Sequence, residues 1–253
     1  MDTRITTALL ITTIAGLSTA IGGLLGITRV KLGSRAMSMT LGFAAGVMIF
    51  VAFVELLKAG IDSTGFLGAN LAFFAGIAVM FAIDILVPHE YFSEHYGTAC
   101  DPKLLRTGIL CAVGLTIHNF PEGLATFVGA LKDVHLGLAI GVAIAIHNIP
   151  EGLAVAVPIA RATGSRKKAF WYAFFSGMAE PAGAVVAALV LYHFLNDALL
   201  GWLMGGVAGL MVYVALDELV PASREYGHDH IAIMSAAGGM AVMSTSLWLF
   251  KLM

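Results

Sequence analysis

The sequence predicts an all-α membrane protein with eight transmembrane helices. The chain has 253 residues, of which 59% are hydrophobic and only 12% charged, whereas soluble globular proteins carry about 25% charged residues. Its apolar residues fall into eight long segments separated by short breaks. Helices satisfy their own backbone hydrogen bonds in lipid, and about 20 residues span a bilayer. The short alternating strands of a membrane β-barrel would give a different pattern.

The eight segments follow one another along the whole chain, and most breaks contain charged residues, Gly, Pro or Asn. In order they span approximately 5–27, 36–58, 66–87, 106–130, 136–160, 169–193, 198–221 and 231–251. The first apolar run is longer than the roughly 7–15 residues of a signal-peptide core, so we expect an uncleaved helix. No polar stretch suffices for a soluble domain, and residues 1–253 are expected to form one transmembrane domain.

Small residues recur at the GxxxG spacing in two of these segments. Gly42 and Gly46 form one such pair, and Gly201, Gly205 and Gly209 form two overlapping pairs. This spacing lets helix backbones approach closely, so we expect the glycines to serve helix packing.

The cationic residues predict the orientation of the chain in the membrane. With the N-terminus outside, ten of the fourteen Lys and Arg residues lie in cytoplasmic loops and four lie outside. Cytoplasmic loops are enriched in Lys and Arg. We therefore expect both termini to be extracytoplasmic, which an even number of helices allows.

The remaining composition excludes several classes of function. The formal net charge is −2 and no basic patch stands out, so nothing points to a nucleic-acid partner. The two cysteines, Cys100 and Cys111, do not suggest a disulfide framework or a thiolate metal site.

Two nearly identical six-residue strings lie near the middle of the fourth and fifth segments. They read His-Asn-Phe-Pro-Glu-Gly at His118–Gly123 and His-Asn-Ile-Pro-Glu-Gly at His147–Gly152, and differ only at Phe120 and Ile149. A charged side chain at the bilayer centre costs roughly 2.5–3.5 kcal/mol on insertion scales. Since two consecutive antiparallel helices bear this cost with the same residues, we predict one functional site shared by both strings. The arrangement is typical of an inverted repeat with its site near the midplane.

The spacing within each string places metal-ligand types close together. His118 and Glu122, like His147 and Glu151, are four residues apart and share a helix face. The Asn after each His lies about 100° further round. The Pro removes a backbone hydrogen bond one turn back, so we expect a kink and a loosened carbonyl beside each His. Imidazole with carboxylate and amide oxygens suits a divalent metal that must be both bound and released.

Glu180 adds a third carboxylate to this site. It lies mid-segment in Ser-Gly-Met-Ala-Glu-Pro-Ala-Gly, with no basic partner in the surrounding apolar run. Such an intramembrane acid is a functional candidate by default. Glu122, Glu151 and Glu180 have no intramembrane Lys or Arg to balance them, and a divalent cation would do so.

Other acidic residues lie nearer the helix ends. Glu55 is close to the outer end of the second segment, and Asp84, Asp217 and Glu218 lie towards the inner ends of the third and seventh. We predict that they line the transport path, the alternative being helix-end side chains that reach the headgroups. Solvated polarity rather than metal binding is favoured for the loop residues His89, Glu90, Glu94, His95, His228, Asp229 and His230.

At these motifs the sequence resembles the ZIP (Zrt/Irt-like) metal transporters, most closely their ZupT-type bacterial branch. The resemblance covers essentially the whole chain. It implies an eight-helix bundle with a 3+2+3 inverted repeat, located in the cell (inner) membrane. It also implies uptake of zinc, and often of iron, manganese, cobalt or cadmium, towards the cytoplasm.

The resemblance further implies a binuclear metal site between helices four and five, with helix six contributing. Its first position would use His118, Glu122 and Glu151, joined by His147. Its second would use Asn119, Asn148, Glu151 and Glu180, with Glu122 as a bridge. Some members have Gln-Asp in place of His147 and Asn148.

A membrane di-metal enzyme is the alternative function. Di-iron bundles use Glu-x-x-His and zinc proteases use His-Glu-x-x-His, whereas in both strings here His precedes Glu by four residues. We therefore expect a transporter and no enzyme, with the lipid bilayer and divalent ions as partners. The sequence leaves open the metal preference, the number of ions bound and whether the protein is a carrier or a channel. It also leaves open the oligomeric state, for which a homodimer is one option.

Overall fold

The computed structural model describes residues 3–28, 33–86, 101–132, 134–191 and 196–251. Every regular element in this part of the chain is helical, which confirms the all-α class. The helices are α1 (Thr3–Thr28), α2 (Ser34–Val51), α3 (Leu57–Leu86), α4 (Pro102–Lys132), α5 (Val134–Thr163), α6 (Arg166–Gly177), α7 (Ala179–Val186), α8 (Asp197–Val214), α9 (Val220–Arg224) and α10 (Asp229–Lys251). π turns over Ala52–Leu56, Ala187–Leu191 and Ala215–Leu219 continue α2, α7 and α8.

Several of these helices have the length and composition of membrane spans. Among the described residues, six helical stretches are long and apolar enough to cross a bilayer: Thr3–Thr28, Ser34–Leu86, Ile140–Thr163, Arg166–Leu189, Asp197–Arg224 and Asp229–Leu249. The second has 53 residues, or about 80 Å of helix against a hydrocarbon core of ~30 Å. The chain turns inside it at Gly65, whose φ of 75° is readily adopted only by glycine. The predicted break at this position is therefore present.

The sixth predicted segment, 169–193, is not one continuous helix. Helix α6 ends at Gly177 and α7 begins at Ala179. Pro181 has no N–H to donate to the carbonyl of Gly177, which removes a hydrogen bond from this turn. Glu180 consequently lies in the first turn of α7 and not in mid-helix as predicted. Residues 192 and 193 of that segment lie outside the described residues.

The GxxxG glycines lie where helix backbones meet, as predicted. A Cβ atom at Gly42 or Gly46 would overlap carbonyl oxygens of α10, those of Ala232 and Ala236. At Gly209 it would overlap the carbonyl of Phe73 in α3. These pairs fix how closely α2 packs against α10 and α8 against α3.

The two motif helices occupy the centre of the bundle. Helix α5 packs against α1, α2, α4 and α6. In its apolar stretch 65% of the residues are buried within the protein, against 17% in α10. The paired strings therefore lie among other helices and not on the lipid-facing surface.

Candidate metal centre

All seven residues predicted as metal ligands are buried. Glu122 is 3% exposed and His147 1%, while the other five are fully buried. Buried polar groups are costly unless they find partners. The contacts of each group therefore indicate what this site can hold.

The four His and Glu side chains of the two strings converge at one place. His118 Nε2 lies 3.4 Å from Glu122 Oε2 and 3.3 Å from Glu151 Oε1. His147 Nε2 lies 3.2 Å from Glu122 Oε1. Nitrogen ligands at about 2.0–2.1 Å from a tetrahedral zinc ion lie about 3.4 Å from one another. The spacing is thus that of groups able to share one ion.

The two asparagines bond to neighbouring helices through their amide nitrogens. Asn119 Nδ2 donates to the carbonyl of Ser176 in α6 at 3.1 Å. Asn148 Nδ2 donates to the carbonyl of Ala15 in α1 at 3.0 Å, and also to Glu180 Oε1. Each Asn Oδ1 is buried and accepts no hydrogen bond from the described residues. The amide oxygens are consequently the atoms left for an ion.

Glu180 joins the cluster through Asn148. Its Oε2 atom, like both carboxylate oxygens of Glu151, is buried and accepts no hydrogen bond within the described part of the chain. Buried oxygens that accept no hydrogen bond are uncommon in folded proteins and need an explanation. Together with the Asn oxygens they form a donor set for a cation.

The glycine that ends each string has a role that the sequence reasoning missed. A Cβ atom at Gly123 would lie 2.6 Å from the carbonyl carbon of Glu180. At Gly152 it would overlap the carbonyl oxygen of Thr19 in α1. The recurrence of Gly directly after Glu in both strings was the available signal. These glycines let α7 and α1 approach the motif helices.

Glu55 lies further from the end of its helix than the sequence predicted. It belongs to the π turn over Ala52–Leu56, and helix continues beyond it to the turn at Gly65. Glu55 and Glu122 line the same cavity of about 260 Å³, which extends to Ser63 and Gly201. Its Oε2 is buried and accepts no hydrogen bond from any described residue. The prediction of an outer helix end is wrong, because the helix does not stop at residue 58.

Asp84, Asp217 and Glu218 come together at another place, where each offers an oxygen within 4.8 Å of the others. Arg106, counted as a loop cation from the sequence, is only 8% exposed there. It donates to Glu218 Oε1 at 2.9 Å and pairs with Asp84. Sequence position alone could not show this long-range pairing.

His228 and Asp229, predicted as solvated loop residues, contact residues that belong to neither cluster. His228 Nε2 is 3.3 Å from Ser34 Oγ, and Asp229 pairs with Arg224. Cys111 is a buried free thiol. The third-loop residues His89, Glu90, Glu94, His95 and Cys100 lie outside the described residues.

Comparisons with known proteins agree with one another on the family. A family model described as ZIP Zinc transporter matches residues 93–247. A protein named Zinc transporter ZupT from Streptococcus mutans is 45% identical, over 99% of this chain and 100% of the relative. Proteins of the same name are 47% identical in Corynebacterium efficiens (95% and 96% covered) and 49% in Chlorobium phaeovibrioides (96% and 97%). These are membrane transporters and not enzymes, and the chain belongs to the ZIP zinc transporter family.

Proposed function

We propose that this protein takes up divalent metal ions, zinc first among them, across the cytoplasmic membrane through a binuclear site at the bilayer midplane. The observation that carries the proposal is the buried cluster of His118, Glu122, His147 and Glu151, with nitrogen and oxygen atoms 3.2–3.4 Å apart. The name of the curated relatives supports zinc as the substrate. The mixed ligands would also accept iron, manganese, cobalt and cadmium.

The second metal position would lie beside the first. Asn119, Asn148, Glu151 and Glu180 supply buried oxygens that accept no hydrogen bond from the described residues. Glu122, which faces both histidines, would bridge the two positions. Three carboxylates bring three formal negative charges, more than a single divalent ion neutralises, which supports two ions.

The path to and from this site would follow the two groups of acids outside it. The cavity shared by Glu55 and Glu122 supports an entrance from the outer side. The cluster of Asp84, Asp217 and Glu218 would form the exit. There Arg106 already pairs with two of the carboxylates. A departing metal ion would have to compete with its guanidinium group.

We further propose eight membrane crossings with both termini outside. The long stretch Ser34–Leu86 turns at Gly65 and supplies enough helix for two crossings. Helix α4, whose central polar motif lowers its apolar character, would supply another. Asn and Gly of the first string contact the backbones of α6 and α7, whereas those of the second contact the backbone of α1, which supports an inverted repeat. A homodimer is compatible with this arrangement.

Zinc uptake into proteoliposomes tests the site. We expect His118→Ala and Glu151→Ala each to reduce uptake to background while the protein still folds. His230→Ala removes an exposed histidine outside the cluster and should leave uptake unchanged. Flux like that of the wild type in both site variants would refute the assignment. Competition by unlabelled iron, manganese, cobalt and cadmium would rank the substrates.

A further inference from the structure

A long groove opens on the side of the bundle between α4 and α6. Its volume is about 690 Å³. It is lined by Ile109, Ala112, Val113, Thr116, Ile117, Ser165, Lys167, Lys168, Trp171, Tyr172, Phe175 and Ser176. No acidic residue is part of this described lining. The groove is thus apolar along its length and positively charged at one end.

We propose that this groove binds one anionic phospholipid, with its phosphate headgroup at Lys167 and Lys168 and an acyl chain along the apolar floor. Both lysines are exposed at the start of α6. Basic pockets between transmembrane helices on the cytoplasmic side are suited to anionic headgroups. The choice of leaflet rests on the proposed topology, but the binding itself does not.

The dimensions of the groove match one leaflet of a bilayer. From Lys167 to Ser176 helix α6 rises about 13 Å, and from Ile109 to Ile117 helix α4 rises about 12 Å. One leaflet contributes about half of a ~30 Å hydrocarbon core. A lipid whose headgroup lies at the two lysines would therefore have its acyl chain against the apolar floor over most of the thickness of one leaflet.

Two aromatic side chains of α6 lie close to the lysines along the helix. Trp171 lies one turn from Lys168 and stacks on Phe175, with ring centroids 5.4 Å apart. Trp and Tyr side chains concentrate at the membrane–water interface, where one end is apolar and the other is wet. Trp171 and Tyr172 thus place the lysine end at the headgroup level.

The deep end of the groove adjoins the candidate metal centre. Ile117 directly precedes His118, and the carbonyl of Ser176 accepts the hydrogen bond from Asn119. An acyl chain in the groove would therefore touch the α4–α6 contact that holds Asn119.

Quenching of Trp171 by brominated lipids tests the proposal. In a Trp202→Phe, Trp248→Phe background Trp171 is the remaining tryptophan. Two lysines at the headgroup level should enrich an anionic lipid about 30-fold. We expect brominated phosphatidylglycerol, dilute in phosphatidylcholine vesicles, to quench Trp171 several-fold more than the same fraction of brominated phosphatidylcholine. Equal quenching by both lipids would overturn the proposal.

Three variants separate the headgroup from the chain. Lys167→Gln with Lys168→Gln should abolish the preference for the anionic lipid. The control variant, Arg35→Gln with Arg166→Gln, removes two exposed cations that do not line the groove. It should retain the preference for the anionic lipid. Ala112→Phe fills the floor and should reduce quenching although both lysines remain. An unchanged preference in the lysine variant, or unchanged quenching in Ala112→Phe, would contradict the proposal.

Native mass spectrometry gives a second readout that keeps all three tryptophans. We expect the wild type to retain one more phosphatidylglycerol molecule than the lysine variant. Equal retention by the two proteins would count against the site. A Trp171 that neither brominated lipid reaches would show that a second copy of the chain or another protein covers the groove, which would also overturn the proposal.

Discussion

Replacing Gly123 with alanine should disable the metal site without touching a ligand. Gly123 ends the first string, and Glu180 passes directly over it. A Cβ atom built there lies 2.6 Å from the carbonyl carbon of Glu180 and 2.7 Å from its Cα. Carbon atoms in van der Waals contact are about 3.5–4.0 Å apart. The backbone at Glu180 must therefore retreat by about 1 Å.

Displacing the backbone at Glu180 has two consequences, one for stability and one for metal binding. Overpacking a core typically costs about 1–3 kcal/mol, while alanine gains up to about 1 kcal/mol over glycine in helix propensity. We thus expect a net loss of about 1–2 kcal/mol of stability. The hydrogen bond from Asn148 to Glu180 would also be stretched or lost. Loss of such a partner of a metal ligand typically weakens metal binding about 10- to 100-fold.

Gly238→Ala is the matched control, because a Cβ atom at Gly238 meets no atom within 4 Å. It should retain zinc affinity and gain a little stability. Isothermal titration of purified protein with zinc gives the affinity, and thermal unfolding in the same detergent gives the stability. If Gly123→Ala bound zinc as tightly as the wild type, the close approach at this glycine would not position Glu180 for the metal.

Three further predictions concern residues around the site. Arg106→Gln removes the ion-pair partner of the buried Glu218 and the partly buried Asp84 and should lower stability by about 3–5 kcal/mol. Thermal unfolding should show part of the loss restored by added zinc, and an unchanged melting temperature would exclude the ion pairs as a structural element. Glu55→Gln removes a charge from the cavity that leads to Glu122, so it should slow uptake of dilute radiolabelled zinc several-fold while equilibrium zinc affinity stays unchanged. Asp62→Asn, at the exposed ion pair with Lys58, should have no effect. Equal uptake rates in Glu55→Gln and the wild type would remove Glu55 from the path. Phe120→Ile makes the two strings identical and should keep at least half of the uptake, because neither side chain can bind an ion; a loss beyond tenfold would show that the aromatic ring is required.

The sequence was sufficient for the all-helical class because the bilayer imposes a simple rule. A run of apolar residues about 20 long must be helical in lipid, and each break is marked by charge, glycine, proline or asparagine. The failure at residues 177–179 has a local cause in Pro181. The failure at Glu55 arose because the second segment was ended at residue 58, although the ion pair between Lys58 and Asp62 lies on a continuing helix.

Within the site, spacing predicts which residues share a face but not which helix lies opposite. The approach of His118 and Glu122 follows from their separation of four residues. The partners of Asn119 and Asn148 are backbone carbonyls of α6 and α1, and no local pattern encodes them. Arg106 illustrates the same limit, because the residues it pairs with are 22 and 112 positions away in the chain.

Arg106 also bears on the charge of the centre. It lies twelve residues before His118 on the same helix, or about 18 Å along the axis. Its guanidinium group is already engaged with Asp84 and Glu218. It cannot balance Glu122, Glu151 and Glu180, so the need for a bound cation inferred from the sequence is not removed by this buried arginine.

The division of roles within the two strings explains why five of their six residues recur, and not only His and Glu. His and Glu build the cluster between α4 and α5. Asn and Gly of the first string bind α6 and α7, through the carbonyl of Ser176 and the backbone of Glu180. Asn and Gly of the second string contact α1 at the carbonyls of Ala15 and Thr19, and Asn148 donates in addition to Glu180 of α7.

Helices α1 and α6 then meet each other where Gly16 and Gly177 approach, which closes a ring of helices around the cluster. A string reduced to His and Glu would keep those four side chains on α4 and α5 but would leave α1, α6 and α7 without fixed distances to them. Glu180 would then have no defined position relative to the other carboxylates. The repeated string therefore encodes both the proposed ligands and the helix contacts that hold them in place.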